Sequence, residues 1–153
     1  MLQYLDTYVG LQEIPGEVSL VIILSDYVFQ CRGKKAQMYK SKEGKPLTKE
    51  EFTVFIDSLI GDITCVTFMG GDIAPDEIND LATFVRIQYP DLRIGWYSSD
   101  ESITVFTEYQ NFDYIKLGPY NQRKGGLRSP KTNQRLYKVE GAMLRDITHL
   151  FQK

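Results

Sequence analysis

The chain is poor in the side chains from which most catalytic and metal sites are built. Its 153 residues include one histidine and two cysteines. A Ser-His-Asp triad, a Cys-His pair or a histidine-rich metal site would need His149, close to the C-terminus, which we expect to lie on the surface. The two cysteines, Cys31 and Cys65, have no framework spacing, which favours a reducing compartment over a disulfide scaffold.

Long apolar runs and a strong net charge are also lacking. No run approaches the roughly 18 apolar residues of a membrane span, and the first residues show no basic stretch followed by an apolar block, so we expect no signal peptide and a cytoplasmic protein. A formal net charge of -2 gives no general attraction to nucleic acid or to an anionic membrane. There is no phosphate loop of the Gly-Lys-Ser/Thr type. We therefore expect neither nucleic acid nor a membrane as a partner.

Four β-type runs are present, and they alternate with helix-type runs. The aliphatic run at 18–24 has the pattern of a strand buried on both faces. Further strands are predicted at 65–69, 92–97 and 114–117.

Two amphipathic helices separate the first three of these strands. Thr48 and Glu51 form the pattern of a capping box, and apolar residues follow at helical spacing until a glycine. Pro75 begins the second helix and Pro90 ends it. A weaker helical pattern lies at 102–109.

Alternating strands and helices predict parallel βαβ units with right-handed crossovers. A closed eightfold barrel takes about 250 residues, so this chain is predicted to form an open, partial (β/α) barrel. We expect one α/β domain over residues 1–153 with mostly parallel strands. The segments 4–12 and 135–139 are predicted to add antiparallel edge strands.

Each of the four predicted parallel strands is followed by a distinctive segment, at the end where ligands gather in parallel α/β folds. The segments are the loop 27–35, Met69-Gly70-Gly71-Asp72, Trp96-Tyr97-Ser98-Ser99 and Gly118-Pro119-Tyr120. Two glycines after a buried strand let the backbone approach a ligand closely, and the adjacent carboxylate of Asp72 can accept hydrogen bonds from an ammonium group. A tight turn in which Asp72 caps the next helix is the structural alternative.

The segments resemble those of one family, the activating proteins of anaerobic ribonucleotide reductase, which are small radical-SAM enzymes. The resemblance is carried by Gln12-Glu13-Ile14-Pro15, Phe68-Met69-Gly70-Gly71-Asp72, Gly95-Trp96-Tyr97-Ser98, Asn111 to Tyr120 and Thr132 to Tyr137. It runs from about Leu2 to the C-terminus. It implies a partial barrel of the small radical-SAM type, S-adenosylmethionine (SAM) and a 4Fe-4S cluster as cofactors, and the reductase large subunit as partner.

The resemblance also implies roles for five residues. The family segment that matches Gly70, Gly71 and Asp72 contacts the amino group of SAM. Ser98 would lie near the ribose or the methionine carboxylate of SAM, and Lys116 near the rim of the pocket. The structural alternatives are that Ser98 closes a strand and that Lys116 extends from one towards solvent.

The chain departs from the family where the cluster would be held. The family uses three cysteines spaced C-x3-C-x2-C, and here Cys31 alone remains, with Tyr27 and Lys34 at the other two positions. Thiolates suit iron–sulfur clusters, whereas a phenol titrates at about 10 and an ammonium has no lone pair to donate. Cys65 lies in a predicted strand, where a free cysteine acts as a small hydrophobe. We therefore expect no cluster and no glycyl-radical-generating activity.

The sequence leaves four hypotheses open. The first is a cluster-less, inactive relative of the activating protein that keeps the SAM-type pocket and the partner surface. The second is an active 4Fe-4S enzyme with atypical ligands, and the third is an engineered metal-free variant. The fourth is a generic α/β protein that binds a small molecule. Iron and sulfide content separates the first two, and titration with SAM tests the fourth.

Overall fold

The apolar runs of the sequence form the centre of a mixed β-sheet. A computed structural model describes residues 1–27, 43–101 and 109–152. Within these ranges the strands are β1 (Gln3–Gly10), β2 (Ser19–Leu24), β3 (Lys45–Pro46), β4 (Cys65–Met69), β5 (Arg93–Tyr97), β6 (Tyr114–Leu117), β7 (Arg135–Glu140) and β8 (Met143–Asp146). The helices are α1 (Lys49–Leu59) and α2 (Pro75–Gln88), with 3₁₀ turns at Tyr109–Asn111 and Thr148–Phe151.

The described strands pair in the order β3-β1-β2-β4-β5-β6-β7-β8. The central β2, β4, β5 and β6 are parallel neighbours. Antiparallel strands continue the sheet on both sides, β1 and β3 on one and β7 and β8 on the other. The α/β class and the four predicted parallel strands are therefore confirmed.

The predicted edge strands are present, but they are not the edges of the sheet. The segments predicted at 4–12 and 135–139 form β1 and β7, and β3 and β8 pair outside them. Both outer strands are short and mostly exposed, so neither shows the apolar alternation that marks a strand in sequence. The described part of the chain is an open sheet with two helices, fewer than a barrel with a helix after each strand would carry. The partial barrel stays a prediction.

Strand β2 shows how the sheet is buried on both of its faces. All six of its residues are buried. Leu20, Ile22 and Leu24 pack into the core beneath α1 and α2, whereas Val21 and Ile23 pack into a second core on the opposite face. Fully burying an aliphatic side chain of this size stabilises a fold by roughly 1.5–3 kcal/mol. Residues on both faces of the parallel strands therefore hold the sheet in place.

Helix α1 begins at the predicted cap. The Thr48 hydroxyl accepts a hydrogen bond from the Glu51 amide at 3.1 Å. The Glu51 carboxylate does not complete a capping box; it accepts from the Tyr4 hydroxyl at 2.6 Å, which ties the helix to β1. Phe52 and Ile56 are fully buried beneath the helix.

Helix α2 also has the predicted bounds. It begins at Pro75 and ends at Gln88, shortly before Pro90. Most of the helical pattern at 102–109 lies outside the described residues, and Tyr109 begins a 3₁₀ turn. Across the described ranges, no helix is both long enough and apolar enough to cross a membrane.

Replacing Thr48 by alanine should lower the free energy of unfolding by about 1 kcal/mol, because the Glu51 amide loses its side-chain acceptor. Ser58→Ala is the matched control in the same helix, since the exposed Ser58 hydroxyl only donates to the Phe55 carbonyl at 2.9 Å. Urea unfolding followed by circular dichroism measures both variants. Equal losses in the two would contradict a capping role for Thr48.

Candidate functional site

The five residues that the resemblance assigns to a ligand lie at the carboxyl ends of the parallel strands. Gly70, Gly71 and Asp72 follow β4, Ser98 follows β5, and Lys116 is in β6. Because these strands are parallel neighbours, the residues lie along one rim of the sheet. The structure brings Asp72, Ser98 and Lys116 into one connected group of contacts.

The glycine pair forms a turn that only glycine can make without strain. Gly70 and Gly71 have φ values of +101° and +91°. A Cβ on Gly70 would lie 2.9 Å from Oδ1 of Asp26, and one on Gly71 would lie 2.5 Å from Cδ1 of Ile78. The turn geometry and the close packing therefore account for both glycines without a ligand.

The polar groups of this turn have partners within the chain. The Trp96 indole Nε1 donates to the Gly70 carbonyl at 2.8 Å. The amides of Gly71 and Ile73 donate to the two carboxylate oxygens of Asp26, at 2.7 Å and 3.3 Å. Asp26 was not among the predicted site residues, although a carboxylate two residues after a buried strand, directly before the first cluster position, could have indicated a role at the rim.

The carboxylate of Asp72 connects the ends of β4 and β5. One oxygen accepts from the Ser98 hydroxyl at 2.6 Å and the other from the Ser99 amide at 2.9 Å. The buried Ser98 hydroxyl also accepts from the Asp100 amide at 3.0 Å. Helix α2 has Ala74 at its N-cap and no side-chain cap, so the part of the structural alternative in which Asp72 caps this helix is wrong.

Lys116 is buried and bonded to the main chain. Its side chain is 2% exposed, and Nζ donates to the carbonyls of Ser98 at 3.1 Å and Gly118 at 3.0 Å. Nζ also lies 5.5 Å from the centre of the Tyr97 ring. Burial lowers the pKa of Lys116 to about 8, and the charge of Asp72 partly opposes that shift. The alternative in which Lys116 extends into solvent is therefore wrong.

Asp26, Asp72, Ser98 and Lys116 together form what we call the rim brace. Each of the three charged members bonds to main-chain groups of a neighbouring loop, so the brace joins the loops that follow all four parallel strands. Hydrogen bonds with one charged partner are stronger than neutral ones. The brace can therefore fix the relative positions of these loops.

A pocket of about 450 Å³ lies beside the rim brace. Met69 and Tyr97, the last residues of β4 and β5, line it together with Tyr27, which lies in the loop after β2. Met69 and Tyr97 belong to the core on the face opposite α1 and α2. The remaining lining residues are Gln12, Glu13, Tyr120, Gly126, Leu127, Arg128 and Phe151. The volume is typical of ligand pockets, and the five residues that the resemblance names are not among its lining.

Two charged groups of the pocket are held by hydrogen bonds. The Glu13 carboxylate accepts from the Tyr8 hydroxyl at 3.1 Å, and the Glu13 carbonyl accepts from the Tyr97 hydroxyl. The Arg128 guanidinium donates to the side chain of Gln12 at 2.8 Å. The pocket therefore offers a fixed carboxylate and a guanidinium, and both were missed in the sequence.

Tyr97 is the most deeply buried phenol of the pocket. Burial raises the pKa of Tyr97 well above its usual value, and nearby Tyr27, Glu13 and Tyr8 act in the same direction, while Arg128 opposes them. Tyr97 therefore stays neutral at physiological pH and acts as a hydrogen-bond donor.

One of the three predicted cluster positions lies within the described residues. Cys31 and Lys34 lie outside the described residues, whereas Tyr27 lines the pocket. Cys65 is fully buried, and burial raises its pKa to about 12, which confirms it as a small core residue. His149 is exposed, as predicted. The described residues contain no group of three His, Cys, Asp or Glu side chains placed to hold a metal ion.

Comparison with family models, with curated proteins and with solved structures found no match to this chain.

Replacing Gly71 by alanine should cost more stability than replacing Gly61, although both residues have a φ of +91°. A Cβ at Gly61 meets nothing within 4 Å, so alanine there has only the cost of the left-handed backbone conformation, roughly 1–2 kcal/mol. Overpacking against Ile78 should add about 1–3 kcal/mol at Gly71. Chemical denaturation measures the difference, and equal costs would contradict the close packing of the turn.

The stability that Lys116 contributes should rise with pH. Its pKa is about 8 in the folded chain against 10.5 for an ordinary lysine, so between these values the unfolded chain holds the proton and the folded chain does not. The wild type should therefore gain about 1 kcal/mol relative to Lys116→Met between about pH 7 and about pH 9. Urea unfolding at the two pH values checks this, and a constant difference would contradict the lowered pKa.

Proposed function

We propose that this chain is a homologue of the anaerobic ribonucleotide reductase activating protein that has lost its 4Fe-4S cluster and its radical chemistry. In this proposal the cytoplasmic protein keeps a one-domain partial barrel, a pocket for a SAM-type ligand and a surface for the reductase large subunit. The observation that carries it is the pocket at the carboxyl rim, whose wall includes the last residues of β4 and β5 and Tyr27 from the loop after β2. Ligands of parallel α/β proteins bind at this end of the sheet.

The side chains at the cluster positions do not fit a 4Fe-4S cluster. Tyr27 stands at the first position, and its Cα and Cβ lie 3.2 Å from where a Cβ on Gly70 would be, so the phenol comes from a closely packed backbone. A phenolate is a harder donor than a thiolate, and the ammonium of Lys34 has no lone pair. Cys31 alone cannot replace three thiolates. Without a cluster, the chain has no electron source for the reductive cleavage of SAM.

The side chains that line the pocket are better placed to bind an amino-acid ligand with a flat ring than the polar groups of the glycine turn are. The Glu13 carboxylate can accept from an ammonium group, and the Arg128 guanidinium can donate to a carboxylate. The Gly70 carbonyl and the Gly71 amide, by contrast, already have partners in Trp96 and Asp26. In this proposal the residues named by the resemblance support a ligand indirectly, by holding the loops that carry the pocket.

Restoring the missing thiolates tests the ancestry directly. The double variant Tyr27→Cys/Lys34→Cys recreates the family spacing around Cys31. After anaerobic reconstitution it should bind near-stoichiometric iron and sulfide and turn brown, whereas the wild type should not. The result is expected because the remaining loops would already be arranged around the restored ligands.

Tyr27→Ser/Lys34→Ser is the matched control, because it makes the same loss of bulk and charge without adding thiolates. It should remain free of iron. Near-stoichiometric iron in the wild type, with 5'-deoxyadenosine formed from SAM, would show an active enzyme and overturn the proposal. A folded cysteine variant that binds no iron would remove the support for the ancestry.

A further inference from the structure

The charges of this chain are separated in space, although the net charge is small. Between Pro119 and Val139 the sequence has six lysines and arginines and no aspartate or glutamate. The two helices have the reverse balance, with six acidic residues against two basic ones. A net charge of -2 is therefore compatible with a basic segment that begins at the carboxyl rim and with acidic helices on one face of the sheet.

The first part of this segment, which we call the basic loop, comprises residues 119–133. Its four cations, Arg123, Lys124, Arg128 and Lys131, are all exposed, and no ion pair of the described chain involves them. Arg135, just beyond the loop, pairs with Asp146 at 3.6 Å. The loop thus carries positive charge that the described chain does not neutralise by direct contact.

The backbone of the basic loop is fixed by its own hydrogen bonds. The Gly125 amide donates to the Asn121 carbonyl at 2.8 Å, and the Thr132 hydroxyl donates to the Gly125 carbonyl at 3.2 Å. The Gln152 side chain donates to the Leu127 carbonyl at 3.3 Å, and the Leu127 side chain packs on the core. Compact loops of this kind frequently carry function, and a fixed backbone holds the four cations in a limited region.

The basic loop also forms one wall of the pocket. Tyr120, Leu127 and Arg128 contribute to the lining, together with Tyr97 and Phe151 from other parts of the chain. A charged loop is ordinarily just a solvated surface. Here its guanidinium and an exposed aromatic ring border a cavity, which is the combination that binds a flat ring together with an anion.

We propose that the basic loop and the pocket form one site for a nucleoside phosphate. The base lies against Tyr120 and Phe151, and the phosphates lie against Arg128 and the neighbouring cations of the loop. The inference rests on the proposed function, since it uses the same pocket, but the ligand that it assigns is an anion and not a cation. The sulfonium of SAM is a cation that the basic loop repels, whereas phosphate is attracted.

Calorimetric titration of the full chain with ATP, adenosine and SAM tests the site. ATP should bind at least about tenfold more tightly than adenosine, because only ATP makes charge-assisted hydrogen bonds to the loop. SAM should bind more weakly than ATP. Raising the salt concentration from about 50 to about 300 mM should weaken ATP binding and leave adenosine binding unchanged, since exposed charges are screened.

Substitutions locate the phosphate contacts. Arg128→Gln/Lys131→Gln should reduce the affinity for ATP by about tenfold or more and leave that for adenosine unchanged. Lys49→Gln/Arg145→Gln removes the same charge from α1 and β8 and should leave ATP binding near that of the wild type. Circular dichroism and urea unfolding establish that each variant is folded.

Three results would overturn the phosphate site. They are equal affinities for ATP and adenosine, an unchanged ATP affinity in Arg128→Gln/Lys131→Gln, and preference for SAM over ATP. The third would at the same time support the SAM-type pocket. If none of the compounds binds, the result contradicts both the phosphate site and the SAM-type pocket. The ancestry is decided separately by iron uptake in Tyr27→Cys/Lys34→Cys.

Discussion

Charged side chains bonded to main-chain groups join the loops that follow the four parallel strands. Asp26 accepts from the turn after β4, Asp72 accepts from the loop after β5, and Lys116 donates to carbonyls after β5 and β6. The two carboxylates gain strong hydrogen bonds, whereas Lys116 is buried at the cost of a lowered pKa. Three of the pocket's lining residues, Tyr27, Met69 and Tyr97, adjoin the segments that the rim brace joins, so the brace positions that part of the pocket wall.

The contacts of the rim brace show which motif residues stabilise the fold and are therefore not available to bind a ligand directly. The polar groups of the glycine turn, Asp72 and Ser98 form hydrogen bonds with one another or with neighbouring residues of the chain. A chain that lost its cluster would still need these residues, because without them buried polar groups at the rim would lack partners. The proposed loss of a cluster is therefore physically consistent with retention of these residues. The candidate ligand contacts lie instead in Glu13, Arg128 and the aromatic lining.

Local pattern was sufficient for some elements and insufficient for others. Strands β4 and β6 have their predicted bounds, because each is a buried run bordered by turn residues. The Thr48 cap of α1 and the prolines that bound α2 were visible in the same way. Strand β3 pairs with the distant β1, and β8 is the second strand of a hairpin with β7. Both are short and mostly exposed, and neither shows an apolar pattern of its own. The role of Asp26 depends on Gly71, 45 residues away, and Arg128 meets Gln12 across 116 residues. Contacts of that separation cannot be predicted from periodicity.

Cys65 gives the sheet an internal chemical probe. Its side chain has no exposed surface, and burial raises its pKa to about 12. Alkylating reagents attack the thiolate, which this environment suppresses. The residue can therefore react only while β4 is separated from its neighbours, in a partial opening of the native state. The speed at which iodoacetamide modifies Cys65 consequently reports how often the centre of the sheet comes apart.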